Sequence, residues 1–317
     1  MPIAAQKEQR KQAIRFKRIL LATDFSDASQ HAQTWALAVA RRHSAELQVV
    51  HAFRPGARQP IPLDPLPREL DRRRIEAEQQ LMKLAASLQV EHLPSHAFLR
   101  QGPVSAVVSS VIQNENADLL VLGTHGRKGL KKIALGSVAE ELLRLVKCPV
   151  LTIGRNVPDA PATIDLRCIL FATDFGPAAA RALSYAVFLA EEHGAELILL
   201  HMVPPLPVLD IGPAAYLPAD WTAQELTNWE ARQQKESADK LRQLLPAEAK
   251  LARQPQYIIA TNFLPEGILS VATKHGADLI VMGANPTDAV RTAAHVPWSV
   301  IHHVVSEARC PILTVTA

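Results

Sequence analysis

The chain repeats itself, and that repetition limits its fold more than any other feature. Arg18-Ile19-Leu20-Leu21-Ala22-Thr23-Asp24-Phe25 returns as Cys168-Ile169-Leu170-Phe171-Ala172-Thr173-Asp174-Phe175, sharing the core Ile-Leu-X-Ala-Thr-Asp-Phe. Ala45-Glu46-Leu47 and His51 return as Ala195-Glu196-Leu197 and His201. Ala117-Asp118-Leu119 through Gly123 returns as Ala277-Asp278-Leu279 through Gly283, and Cys148-Pro149 as Cys310-Pro311. Ordered matches with slowly growing offsets mean duplication with small insertions.

Each copy alternates short apolar runs with longer amphipathic stretches, the pattern of βαβ units around a parallel sheet. In copy one the pattern predicts strands near 17–23, 46–52, 95–100, 118–122 and 149–153. Helices are predicted near 27–43, 67–89, 103–115 and 137–146. Ser26 or Asp27 can cap the first helix. Pro55, Pro60, Pro62, Pro65 and Pro67 forbid regular structure after the second strand, and Pro204 to Pro218 repeat this in copy two. These connections either cover a ligand or serve as spacers. The expected division is a leader at 1–15, a first domain at 16–154, a linker at 155–165 and a second domain at 166–317.

Composition narrows the function classes. Of the 317 residues, 48% are hydrophobic and 21% charged, the balance of a globular protein with room for two cores. A net charge of +3 gives no case for a nucleic-acid partner. Lys7, Arg10, Lys11, Arg15, Lys17 and Arg18 cluster near the start, where a solvated leader is expected rather than contact with an anionic surface. No apolar run approaches the ~20 residues needed to span a bilayer, so no membrane partner and a cytoplasmic location are expected. Cys148, Cys168 and Cys310 lack zinc-site spacing and read as small buried hydrophobes.

The segment after the fourth strand carries the candidate chemistry. Gly123-Thr124-His125-Gly126-Arg127-Lys128 leads through Lys131 and Lys132 to Gly136-Ser137 and a helix. Ligands of open parallel sheets bind beyond the carboxyl ends of the strands, where strand order reverses. Gly123 and Gly126 are expected to let the backbone turn and approach a ligand closely. The first amides of the helix after Gly136 have no intrahelical partner and sit at the positive end of its dipole, a ready anion site. Ser137 either caps that helix or donates to a phosphate oxygen. His51 and His201 end apolar strands and read as structural histidines. His302 and His303 diverge by about 100° on one helix, so they do not share a metal ion and need only surface or partly buried places. No zinc-protease, nucleophile-elbow or P-loop pattern is present.

These residues resemble the universal stress protein family, in a tandem arrangement covering nearly all of 16–317. The family's ATP signature is Gly, two residues, Gly, nine residues, then Gly followed by Ser or Thr. Gly123, Gly126, Gly136 and Ser137 meet it, together with Ala22-Thr23-Asp24. The resemblance implies two Rossmann-like, doubly wound α/β domains, each with a five-stranded parallel sheet ordered 3-2-1-4-5, packed as a pseudo-dimer. It implies ATP as ligand, with or without Mg2+, and a further homodimer. Asp24 would face the ribose and Ala52 would line the adenine pocket, while Thr124, Arg127 and Val138 would lie near the phosphates. On residue chemistry alone Asp24 and Asp174 serve equally as helix-entry caps.

Copy two departs from the signature. Gly283 is followed by Ala284-Asn285-Pro286, and Trp298-Ser299 stand where Gly136-Ser137 would. The expectation is an ATP-binding stress-response regulator that uses only its first copy. The alternatives are a slow ATPase or self-phosphorylating phosphotransferase, and a scaffold that binds no nucleotide.

Overall fold

The computed structural model describes residues 14–53, 66–90, 93–124, 135–203, 222–262, 264–284 and 298–317. In the first half, β1 (Arg18–Ala22), β2 (Glu46–Phe53), β3 (Ser95–Gln101), β4 (Leu119–Gly123) and β5 (Val150–Ile153) alternate with α1 (Asp27–His43), α2 (Leu66–Val90), α3 (Val104–Glu115) and α4 (Ser137–Leu145). The second half repeats this with β6 (Cys168–Thr173), α5 (Pro177–His193), β7 (Glu196–Val203), α6 (Ala223–Leu244), β8 (Gln256–Thr261), α7 (Leu264–His275), β9 (Leu279–Ala284), α8 (Trp298–Glu307) and β10 (Ile312–Thr316).

The ten strands form one sheet, ordered β3-β2-β1-β4-β5-β10-β9-β6-β7-β8. Each half is parallel and reads 3-2-1-4-5 from its outer edge. Helices cover both faces, which is why the central strands are near-continuous apolar runs. Ile19, Leu20, Leu21, Leu120 and Val121 are fully buried, as are Ile169, Leu170 and Phe171 in copy two. Helix entry follows local chemistry. The Ser26 side chain accepts from the Ser29 amide and caps α1, which settles the choice between Ser26 and Asp27. In copy two Gly176 is the N-cap and Pro177 follows at the first helical turn.

The halves join through the last strands. β5 and β10 pair antiparallel, with Leu151 opposite Leu313 and Thr152 opposite Ile312. The Thr152 hydroxyl donates to the Ile312 carbonyl at 3.2 Å, and the Thr316 hydroxyl to the Val146 carbonyl at 3.1 Å. Both last strands are therefore used within the chain, which leaves neither β5 nor β10 as a free edge for pairing with a second copy. Among the described residues, the sheet edges are β3 and β8.

On one face of this join, Phe16 stacks on Tyr185 with ring centroids 6.2 Å apart and meets Phe188 edge-on. Beside them His43 Nδ1 lies 3.3 Å from a Glu192 carboxylate oxygen, and Arg42 donates to the Glu192 carbonyl. Burial dominates both partners. It pushes His43 down to about 4, helped by His193 and Arg42, and pushes Glu192 up. His43 is thus neutral at pH 7, and the contact is not a full ion pair. Burial also lowers His193.

A histidine held below its unfolded value of about 6.5 binds its proton less well when folded. Its contribution is complete above pH 6.5 and is lost as pH falls toward 4. Allowing for partial solvent screening and for the opposing effect of the raised Glu192 carboxyl, His43 should lower unfolding stability by about 1–2 kcal/mol between pH 7 and pH 4.5. Urea titrations at the two pH values check it, and His43→Gln should shrink the difference. An unchanged difference in the variant would place the acid sensitivity elsewhere.

Burial likewise raises the thiols, Cys148 and Cys310 to about 12 and Cys168 to about 11. They are packing groups rather than nucleophiles at neutral pH.

Candidate functional site

The site is built where β1 and β4 lie side by side, the point at which strand order reverses in the first half. Ala22 at the end of β1 and Ala52 near the end of β2 are half-buried. Both pack against the core layer formed with α3 and α4, so they share the face on which α4 begins.

The turn out of β1 is held by its own side chains. Thr23 Oγ1 accepts from the Phe25 amide and donates to Ser29 Oγ, each at 3.1 Å. Asp24 Oδ1 accepts from the Ser26 amide at 3.0 Å and from the Ser26 hydroxyl. This is an Asx turn leading into α1, so the helix-entry role of Asp24 is real. Phe25 sits at φ 60°, a left-handed conformation that is costly for a bulky residue. His51 Nδ1 donates to the Thr23 carbonyl at 2.8 Å, and its ring lies 4.5 Å from that of Phe25. His51 thereby braces the turn, the structural role its place at a strand end suggested.

Copy two has the same device. Phe175 has φ 62°, Gly176 donates to Asp174 Oδ1, and His201 Nδ1 donates to the Thr173 carbonyl at 2.8 Å. The end of the first strand therefore does not distinguish the copies.

At the end of β4 one expectation is corrected. A Cβ on Gly123 would stand 2.5 Å from the Ala28 carbonyl oxygen and 2.8 Å from its carbon. Gly123 is required by close packing of α1 on β4, not by approach of a ligand. Gly283 meets the Ala178–Ala179 backbone in the same way, which explains why this glycine survives in copy two.

Thr124 is buried, its amide donates to the Ile153 carbonyl, and its carbonyl accepts from the Gly136 amide at 2.7 Å. The exit from β4 and the entry to α4 are thus tied together. Gly126 and Arg127 lie outside the described residues.

Gly136 is the N-cap of α4, with φ −62° and ψ 141°, and among the described residues no side chain caps this helix. That removes the capping role from Ser137, which is the first helical residue. Ser137 and Val138 are exposed. The helix therefore begins with the Ser137, Val138 and Ala139 amides directed beyond its end, and the described residues supply no side-chain acceptor for them. An anion placed there gains hydrogen bonds and the favourable end of the dipole. In copy two the buried Ala284 ends β9 in the place of Thr124, and α8 has already begun at Trp298.

One contact at this site was not foreseen. The Leu135 amide donates to His302 Nε2 at 3.2 Å, across 167 positions and from the other half. Nothing local in the sequence marks such a pair. Among the described residues, no group of His, Cys, Asp or Glu could hold a metal ion, and no helix is long and apolar enough to cross a membrane.

The family model for the universal stress protein family matches residues 15–154 and, separately, 166–316. The chain belongs to that family. It is a tandem universal stress protein, of a family of stress-response proteins. A universal stress protein of Thermus aquaticus is 34% identical over 141 residues, covering 44% of this chain and 98% of its own length. One from Mycolicibacterium smegmatis is 27% identical over 215 residues, covering 66% of this chain and 70% of its own. The solved universal stress protein structure from Archaeoglobus fulgidus covers 95% of this tandem universal stress protein and 97% of its own chain, with a TM-score of 0.64 and 21% identity. That likeness concerns the fold.

Proposed function

We propose that this universal stress protein is a nucleotide-dependent regulator that binds one ATP, in its first half only. The observation that carries the reading is the uncapped start of α4, opening at the switch point between β1 and β4. Its amides suit a phosphate chain, and Ser137 is exposed and adds a hydroxyl. Ala22 and Ala52, small and on the same face, leave room for the base and sugar. Thr124 lies close to the phosphates, with Gly126 assigned there by the family signature and Arg127 by the family resemblance. Mg2+ would enter with the triphosphate. Asp24 combines its turn with a ribose contact.

Regulation then requires that partners distinguish the loaded from the empty protein, since a ligand shifts an equilibrium only by its differential affinity. The test is direct. Protein purified without added nucleotide is heat-precipitated and the supernatant separated by anion-exchange chromatography. ATP or its breakdown product AMP is expected, at no more than one equivalent per chain. A supernatant free of adenine nucleotide, from protein that also fails to bind added ATP, would refute the assignment.

A further inference from the structure

The hydrogen bond between Leu135 and His302 joins the candidate site to the half that lacks the ATP signature. Leu135 immediately precedes the N-cap of α4, and its side chain is buried in the core beneath that helix. Two successive amides are held from separate places. Gly136 is held by the Thr124 carbonyl at the end of its own sheet strand, and Leu135 by an imidazole nitrogen on α8 of the other half. Together they fix the direction in which the chain enters α4, and with it the aim of the Ser137, Val138 and Ala139 amides. α4 also packs against β10, so the second half already supports this helix from below.

The arrangement cannot be reciprocal. Cys148 and Cys310 are equivalent, and the same count places Pro297 opposite Leu135 and Glu140 opposite His302. Proline has no amide hydrogen to donate. Glu140 is instead 3.0 Å from Arg144 on its own helix.

We infer that His302 is a positioning residue for the nucleotide site of the first half, supplied by the second half, so that the degenerate copy is retained as part of the binding apparatus. This rests on the proposed nucleotide function. His302 touches no ligand; it acts through the Leu135 amide, accepting at Nε2 with its proton on Nδ1. The degenerate half thus sets the affinity of its neighbour.

The test uses the full chain and ATP. His302→Leu removes the acceptor, whereas His302→Gln returns an oxygen close to the place of Nε2. Loss of one such hydrogen bond corresponds to about a tenfold weaker ATP dissociation constant in His302→Leu. His302→Gln should stay within about twofold of the parent. Hydrogen exchange of the Leu135 amide in nucleotide-free protein should be faster in the Leu variant and protected in the Gln variant. Unchanged ATP affinity in His302→Leu, or equal weakening in both variants, overturns the positioning role while leaving the nucleotide reading intact. A parent protein that binds no ATP overturns both.

Discussion

Replacing Gly136 by tryptophan is expected to weaken ATP binding at least about a hundredfold, equivalent to roughly 2.7 kcal/mol, while the protein folds normally. Both parts follow from the backbone. Gly136 has φ −62° and ψ 141°, a conformation open to any residue, so the substitution carries no conformational penalty. What it adds is an indole at the N-cap of α4, beside amides that must meet the phosphates. The substitution also imports the residue that copy two carries at the corresponding position, Trp298. Calorimetry with ATP reads the affinity, and a thermal midpoint within about 2 °C of the parent verifies the fold. Undiminished binding in a folded Gly136→Trp protein would mean that the start of α4 is not where the phosphates sit.

Gly123→Ala is expected to cost about 3 kcal/mol of stability, at the upper end of the range for overpacking a tight contact. The new methyl group meets backbone, the Ala28 carbonyl, rather than a side chain that could turn away. Relief requires α1 to retreat from β4, and that breaks contacts of Ala32, Trp35 and Ala36 with the core. Gly283→Ala should cost a similar amount, because α5 approaches β9 with the same closeness. The pair separates packing from binding. Measured well below its midpoint, Gly283→Ala should bind ATP as the parent does. Urea midpoints report the loss, and a Gly123→Ala protein as stable as the parent would remove the packing explanation.

The fold was largely written in hydrophobic pattern. β1 was expected near 17–23 and spans Arg18–Ala22; α4 was expected near 137–146 and spans Ser137–Leu145. Such agreement arises because strands covered on both faces must be apolar throughout, and because each element appears twice. Strand order and the packing of the halves as a pseudo-dimer came from family resemblance, since periodicity carries no information about neighbours. Within the proposed site, two residues take local roles that the sequence did not show. Gly123 looked like a ligand-approach glycine because the sequence cannot show that α1 occupies the space of its missing side chain. Ser137 could have been a helix cap or a phosphate donor, yet Gly136, held by the Thr124 carbonyl, is the N-cap, so the helix starts one residue earlier than a Ser137 cap would allow. His302 was legible only as a helical histidine. Its partner lies 167 positions away, and no local rule connects residues across a pseudo-two-fold join.

The two halves share a fold and a braced first-strand turn, and one nucleotide per chain requires that they differ at the start of the fourth helix. Equilibrium dialysis of the purified full chain against radiolabelled ATP, carried to saturation, counts the sites without assuming where they are. Binding should level off at one ATP per chain. A plateau at two would contradict the account by showing the second half equally competent, and no saturable binding would contradict it by removing the nucleotide altogether.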